Sequence, residues 1–338
     1  MGRIVITGAS GFVGGEAVGA ALAAGHEVIA IGGRAESDLD TNLGGSEYHA
    51  LDLSAPSAVE LLAPLLEGAD AVIHAAAAMA GDDDAHDRGT LAPTRAVLAA
   101  IARAAAPVRL VLVSSFAVYG FAAVPEGTLL AELTPLEPEP HKRDAYARAK
   151  LAQEEMAVAA ARSTNLDLWL IRPGAIYGPG RLDTARLGIK VGGRRLSPGG
   201  DPVIPAVDVA RVGAALLAAA TVTQPREGTV SGPLRNTAVV INLVDTDPPR
   251  QSEWAAAVGM KTTALPKRLI FGMATALDLA SDLVPGLGTW LPGGLLPPRL
   301  AARFRHLRYG TQRAEDILGI SPGAASADRL AWYAGQRT

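Results

Sequence analysis

Short, continuous apolar runs alternate with longer alanine-rich stretches along the first half of the chain. Ile4–Thr7 reads as a strand, Gly14–Ala24 as a helix stopped by Gly25, and Glu27–Ile31 as a second strand. The pattern then predicts a short strand over Tyr48–Leu53, a helix over Val59–Leu66 and a strand over Ala71–His74. A helix over Thr94–Ala105 and a strand over Leu110–Ser114 follow. Next come a long helix from about Asp144 to Arg162 and a strand over Leu166–Ile171. Apolar residues at consecutive rather than alternate positions mark strands buried on both faces. Alternating β and α elements of these lengths predict an α/β fold, a doubly wound parallel sheet with right-handed crossovers. Later the pattern loosens, with a helix over Val207–Ala219, a strand over Val239–Val244 and Gly- and Pro-rich stretches around them. The expected division is a sheet domain over 1–182 plus 205–247, and a smaller lobe over 183–204 plus 248–338.

Of the 338 residues, 49% are hydrophobic but only 4% aromatic, so the core must be built from Ala, Val, Leu and Ile. With 31 basic and 34 acidic side chains the net charge is -3, which argues against binding nucleic acid through bulk charge. The absence of cysteine removes disulfides, thiolate metal ligands and cysteine nucleophiles together. No run approaches the ~20 apolar residues that cross a bilayer. Arg3 leads straight into the first strand and leaves no room for a signal peptide, so a soluble cytoplasmic protein is expected. A Gly-x-Ser-x-Gly elbow and a Walker lysine loop are both missing, which leaves hydrolase and NTPase classes without support.

Between the first strand and the first helix runs Thr7-Gly8-Ala9-Ser10-Gly11-Phe12-Val13-Gly14. Gly8 suits the tight turn, Gly11 a close approach of backbone to a pyrophosphate, and Gly14 close packing of helix on strand. The helix N-terminus adds free N–H groups and a partial positive charge. Thr7, Gly8, Ser10, Gly11, Phe12, Val13 and Gly14 are therefore candidate dinucleotide-binding residues in a Rossmann-type domain. The acid expected about 20 residues later, which holds a ribose hydroxyl, is missing. Gly32-Gly33-Arg34 stands there instead, and Arg34 is suited to a 2′-phosphate, which favours NADP(H) over NAD(H). Asp52, followed by Leu53, is placed either to meet an adenine edge or to cap the next helix.

Tyr146 and Lys150 lie four apart on the long predicted helix and share one face. A phenol titrates near ~10, so a neighbouring ammonium and an oxidised nicotinamide would be needed to lower it for acid–base work. Ser115 follows the fifth strand, at the sheet edge where such folds bind ligands.

The chain resembles the extended short-chain dehydrogenase/reductase family, in its NAD(P)-dependent epimerase/dehydratase-like branch. The resemblance rests on Thr7 to Gly14, Asp52-Leu53, His74-Ala75-Ala76-Ala77, Ser114-Ser115 with Val118-Tyr119-Gly120, and Tyr146 to Lys150. Arg172-Pro173 with Tyr177-Gly178-Pro179-Gly180 continues it, and Val207-Asp208-Val209-Ala210 and Asn242-Leu243 look like later motifs. It implies that Tyr146 is the general acid–base, that Lys150 binds the nicotinamide ribose and tunes Tyr146, and that Ser115 orients the reacting oxygen. It also implies that Ser114 and Ala75, Ala76 and Ala77 line the cofactor, with Pro173, Gly174 and Ile176 at its nicotinamide end. Thr90 stands where the family often carries an Asn.

Three departures narrow the chemistry. Ser115-Phe116-Ala117 replaces the Thr-Asp-Glu run of dehydratase members, so water elimination lacks its acid and base. Gly174-Ala175 replaces an Asn that sugar-nucleotide members usually direct at the diphosphate, and the second strand lacks the NAD-type acid. All three lean toward a reductase similar to the dihydroflavonol reductase and 3β-hydroxysteroid dehydrogenase groups, acting on ketones, aldehydes or secondary alcohols of fairly apolar small molecules. A nucleotide-sugar epimerase holding NAD is the alternative. A non-catalytic NADP-binding sensor is a third reading, against which the intact Ser115, Tyr146 and Lys150 set counts.

The expected partner is a small-molecule substrate, and the family admits a homodimer built through two helices of the sheet domain. Leu265, Leu269, Met273, Leu277 and Ala280 form one helical stripe, followed by the apolar Leu283–Pro298; it is expected to pack on the lobe's own core, the alternative being an apolar substrate mouth or a shallow membrane contact. Arg299, Arg303, Arg305, His306 and Arg308 read as a solvated face, or as a site for an anionic substrate group. Asp82-Asp83-Asp84-Ala85-His86-Asp87 reads as a mobile solvated loop, not a metal site, because adjacent carboxylates rarely converge on one centre.

Overall fold

Ile4–Thr7, Ala71–His74, Leu168–Pro173 and Ala238–Leu243 are buried at every position, as strands covered on both faces require. The computed structural model describes residues 1–35, 43–191, 194–223, 237–283, 296–320 and 326–336. Its strands are β1 (Arg3–Thr7), β2 (Glu27–Gly32), β3 (Glu47–Ala50), β4 (Ala71–His74), β5 (Arg109–Val113) and β6 (Leu129–Leu130). They continue with β7 (Leu168–Pro173), β8 (Ala175–Tyr177), β9 (Ile189–Val191), β10 (Arg194–Ser197), β11 (Ala206–Asp208), β12 (Ala238–Leu243), β13 (Thr262–Ala264) and β14 (Arg308–Tyr309). The main helices are α1 (Phe12–Ala23), α2 (Ala58–Leu62), α3 (Asp83–His86), α4 (Ala92–Ile101), α5 (Ala145–Thr164) and α6 (Val209–Thr221). The remainder are α7 (Gln251–Ala257), α8 (Lys267–Leu283), α9 (Pro297–Phe304), α10 (Gln312–Leu318) and α11 (Ser326–Gly335).

Seven strands pair in parallel in the order β12-β7-β5-β4-β1-β2-β3. Alternate residues of each strand face opposite layers. Ile4, Ile6, Ile73, Val111, Trp169 and Ile241 pack with α1, α6 and α10. Val5, Val72, Leu110, Leu112, Leu170 and Val240 pack with α2, α4 and α5. α1 and α6 approach closely because Gly213 has no side chain; a Cβ there would lie 2.9 Å from the Glu16 backbone.

Most predicted elements sit where the pattern places them, with ends shifted by a few residues. The main difference is at Ala206–Asp208, of which Val207 and Asp208 are expected to open a helix. These residues form β11, which pairs with β8, and the helix begins at Val209 behind an Asp208 cap that accepts from the Ala210 N–H. α5 starts after Asp144, whose carboxylate accepts from the Ala147 N–H at 2.9 Å, and ends at Asn165 in a left-handed conformation with φ 56°.

The later elements add a second layer of structure above the sheet's carboxyl edge. Tyr177, Leu182, Ile204, Trp254, Leu330 and Tyr333 share one cluster there. Other late elements return to the sheet: α10 buries Ala314, Ile317 and Leu318 in the α1–α6 core. The helical stripe does not pack as expected. Leu269 and Met273 are 58% and 52% exposed, and the face of α8 turned toward Leu300 and Phe304 is Ile270, Phe271 and Ala274. Most of Leu283–Pro298 lies outside the described residues. The basic run is largely fastened rather than solvated. Arg299 donates to the Lys142 and Arg143 carbonyls, Arg305 to Ala122 and Arg308 to Gly127, while His306 donates to Gly199 at 2.6 Å. Among the described residues no helix is long and apolar enough to cross a membrane.

One ion pair lies inside the sheet layer: Arg172 forks onto Glu154 at 2.8 and 2.6 Å, with side chains 2% and 4% exposed. Glu154→Gln should cost about 3–5 kcal/mol in urea unfolding, because it leaves a buried guanidinium uncompensated. Glu60→Gln, which breaks the exposed pair with Arg103, should cost less than about 1 kcal/mol.

Candidate active site

The sheet order reverses between β1 and β4, and the loop after β1 sits at that crevice. Gly8 turns there with φ +73° and lies flat against β4's exit; a Cβ would stand 2.6 Å from the Ala76 nitrogen. At Gly14 a Cβ would fall 2.1 Å from the Gly8 carbonyl oxygen, so only glycine lets α1 seat on the loop. Gly11 occupies the N-cap of α1 without a side-chain cap, and the first turn leaves N–H groups with no partner inside the helix.

Gly8, Gly11, Phe12, Val13 and Gly14 line a cavity of about 740 Å³. Ala75, Ala77, Ser114, Ser115, Tyr146, Lys150, Pro173, Gly174 and Ile176 share that wall. A cradle kept clear of Cβ atoms at a helix N-terminus fits a pyrophosphate. Gly174 has its own steric reason: a Cβ would meet the Pro205 carbonyl at 2.0 Å.

Tyr146 and Lys150 lie one turn apart near the start of α5, and Ser115 ends the β5 exit. The Ser115 hydroxyl accepts from the Ala117 N–H at 3.1 Å and hydrogen-bonds Tyr146. Lys150 is 3% exposed and donates to the Val113 carbonyl at 2.8 Å and to Gln153 Oε1 at 2.9 Å. Burial pushes its ammonium down to about 8, against the pull of the Glu154 charge. The expected lowering of the phenol is not present in the protein alone. Burial pushes Tyr146 above its ordinary value, Asp144 adds to this, and only the Ser115 hydrogen bond works the other way. The His86 ring meets Tyr146 edge-on, with centroids 6.0 Å apart.

The other predicted residues are less direct. Thr7 is fully buried and its hydroxyl turns inward to His74 Nδ1 at 2.6 Å. The Ser114 hydroxyl is taken by Glu154, so Ser114 meets the cavity through its remaining atoms. Exposed Arg34 donates to the Ser10 carbonyl, while its own carbonyl accepts from Tyr48 Oη at 2.7 Å. Asp52 holds Ser54 N and Oγ at 2.8 and 2.7 Å, bonds that keep its carboxyl below the usual range. Leu53 belongs to the α2–α4 core, and Ala76 packs against it. Ser10, Ala76, Arg34, Asp52 and Leu53 lie off the cavity wall.

The acidic segment is a helical turn rather than a loop. Asp82 caps it, Asp83 pairs with Arg148 and Asp87 with Arg95, so its carboxylates point to separate partners. Thr90 uses its hydroxyl to accept from the Ala78 N–H at 3.0 Å. Sequence reading missed Met79, Arg181, Leu182, Asp183, Thr184 and Ala185 on the cavity wall, and Gln153 behind Lys150. Gln153 carried a signal: it is an amide three residues past Lys150 on an alanine-rich helix.

Ser115→Ala removes the hydrogen bond that lowers the phenol, so Tyr146 should titrate at higher pH than in the parent. Labelling the six tyrosines at Cζ with ¹³C reads this by NMR, and an unmoved midpoint would mean the hydroxyl does not touch the phenol in solution.

The model of the NAD dependent epimerase/dehydratase family matches residues 4–191. The dTDP-6-deoxy-L-talose 4-dehydrogenase (NAD(P)(+)) of Kitasatospora kifunensis is 30% identical over 189 residues, covering 55% of this chain and 56% of that protein. The match thus spans about half the length of that curated relative. MoeE5 in complex with UDP-glucuronic acid and NAD superposes with a TM-score of 0.66 at 21% identity, over 98% of this chain and 97% of that one. UDP-glucuronic acid 4-epimerase from Bacillus cereus, in complex with UDP-glucuronic acid and NAD, superposes with 0.67 at 18% identity, over 99% and 100%. At such identities the structures establish a common Rossmann-type fold. The family match, running through more than half of the chain, settles the lineage: the protein belongs to the NAD dependent epimerase/dehydratase family, among the extended short-chain dehydrogenase/reductases.

Proposed function

We propose that the protein is an NAD(P)-dependent oxidoreductase that moves a hydride between nicotinamide and a secondary alcohol carbon or its carbonyl. The observation that carries this reading is the placement of Ser115, Tyr146 and Lys150 on the same cavity wall as Gly8, Gly11 and Gly14. A nicotinamide dinucleotide bound there supplies the hydride donor or acceptor. The glycine loop and the α1 N-terminus would hold its pyrophosphate, Lys150 its nicotinamide ribose, and Pro173 to Ile176 its nicotinamide end. Tyr146 Oη gives its proton to the carbonyl oxygen in reduction and takes it from the hydroxyl in oxidation, while Ser115 Oγ orients that oxygen. The raised phenol rests protonated, in the form reduction consumes. Lys150 is charged at neutral pH and loses its proton as pH rises through about 8, so reduction should slow over that range.

Met79, Ala175, Leu182 and Ala185 give the cavity an apolar side, which supports a ketone, aldehyde or secondary alcohol of a fairly apolar molecule. A second reading, a nucleotide-linked sugar as substrate, draws support from the K. kifunensis relative, whose name is that of a sugar-nucleotide 4-dehydrogenase. An epimerase acting on such a sugar would retain NAD and return the hydride to the other face. Arg34, held against the Ser10 carbonyl of the glycine loop, supports NADP(H) over NAD(H).

Tyr146→Phe should lower turnover about 10³-fold with the dinucleotide Kd nearly unchanged; turnover that survives removes Tyr146 from the chemistry. Denaturing the freshly purified protein and identifying any released nucleotide separates the readings. Near-stoichiometric NAD favours the epimerase. An empty protein that binds NADPH more tightly than NADH, and loses that preference about tenfold in Arg34→Leu, favours the NADP-dependent reductase.

A further inference from the structure

An ammonium has three N–H groups to place. Lys150 gives one to the Val113 carbonyl and one to Gln153 Oε1, which leaves the third for the cavity it lines. Gln153 is itself fully buried. An amide can turn either end toward a neighbour, so the identity of the end facing Lys150 is fixed on its far side. There, Gln153 Nε2 donates to Thr94 Oγ1 at 2.8 Å. Thr94 commits its single hydroxyl proton to the Thr90 carbonyl at 2.7 Å, so toward every other neighbour it accepts. His74 Nε2, 3.0 Å from the same oxygen, must therefore carry a hydrogen. Burial and the Lys150 charge hold the imidazole down to about 3, so it is neutral, and Nδ1 is left to accept from the Thr7 hydroxyl. The hydrogen bonds thus have one assignment, from Thr7 of the glycine loop through His74 and Thr94 to Gln153 and Lys150.

We propose that Gln153 is a positioning residue that holds the Lys150 ammonium toward the cofactor cavity, its amide oriented by this fixed string of hydrogen bonds. The groups around Lys150 leave that role open. Glu154, on the same helix, attracts the ammonium, but its two oxygens are engaged by Arg172 of β7 and by Ser114. His74 of β4 is neutral, and Tyr146, one turn earlier, is held protonated. The neutral acceptors Val113 and Gln153 carry the rest.

The inference rests on the role of Lys150 in the proposed function, so its test reads the cofactor-free protein. The chain has five lysines, and ¹³Cε labelling resolves them by NMR. Lys150 of the parent should titrate near 8. Gln153→Met keeps the volume and removes the acceptor, and should lower the midpoint by about one pH unit. Gln153→Glu should raise it. Thr94→Val frees the amide to turn and should lower it by less than Gln153→Met does. The alkaline limb of kcat should move with each midpoint. Midpoints unmoved in both Gln153 variants would overturn the proposal and leave Gln153 a packing residue; should the Met variant not fold, the direction of shift in the Glu variant decides. A parent that reduces nothing would sink the functional reading while leaving this NMR result standing.

Discussion

A cation set in a dry wall must be given acceptors before anything else near it can be arranged, and Lys150 imposes that condition on the whole sheet edge. Desolvating such a charge costs several kcal/mol against a net stability of about 5–15 kcal/mol for a folded domain. The fold meets the condition by bringing α5 close to the strands. Ala147, Ala149, Ala157 and Ala161 are buried along the helix, and their short side chains let Lys150 reach the β5 backbone at Val113. The same helix presents Glu154 to Arg172, so the second buried charge in the layer is compensated by a fork rather than left to the cavity.

Close approach of backbones is the complementary device. Gly14 against Gly8, Gly174 against Pro205 and Gly213 against Glu16 are all places where a single methyl group would collide with main chain. Gly14 and Gly174 also form the cavity wall, so there the room for a ligand and the tightness of the packing have one cause. In the upper layer Tyr177, Trp254 and Tyr333 pack ring to ring.

The strands were legible because their burial on both faces makes them continuous apolar runs, and the glycine loop because each glycine answers a local steric demand. Ser115, Tyr146 and Lys150 were legible from spacing and order along elements that themselves were legible. β11 was not: Ala206-Val207-Asp208, running into a helix, carries no period of its own, and only pairing with β8 makes it a strand. The stripe on α8 shows a second limit, since periodicity gives an apolar face but not what meets it. The direction of the Tyr146 shift depended on burial against charge, which spacing does not weigh. Gln153 depended on Thr94, fifty-nine residues away in sequence.

The return of the last helices to the sheet bears on how the chain reaches its fold. Ala314, Ile317 and Leu318 of α10 complete the core over α6, and Ser326, Arg329 and Tyr333 of α11 bind the Asp245 and Asp208 carboxylates at the ends of β12 and β11. Contacts between residues so distant in sequence form late and slow folding. During synthesis the N-terminal strands emerge first, and the core they share with α6 is completed once α10 has been made. The glycine loop before α1 therefore rests on a core layer that α10, far along the chain, completes.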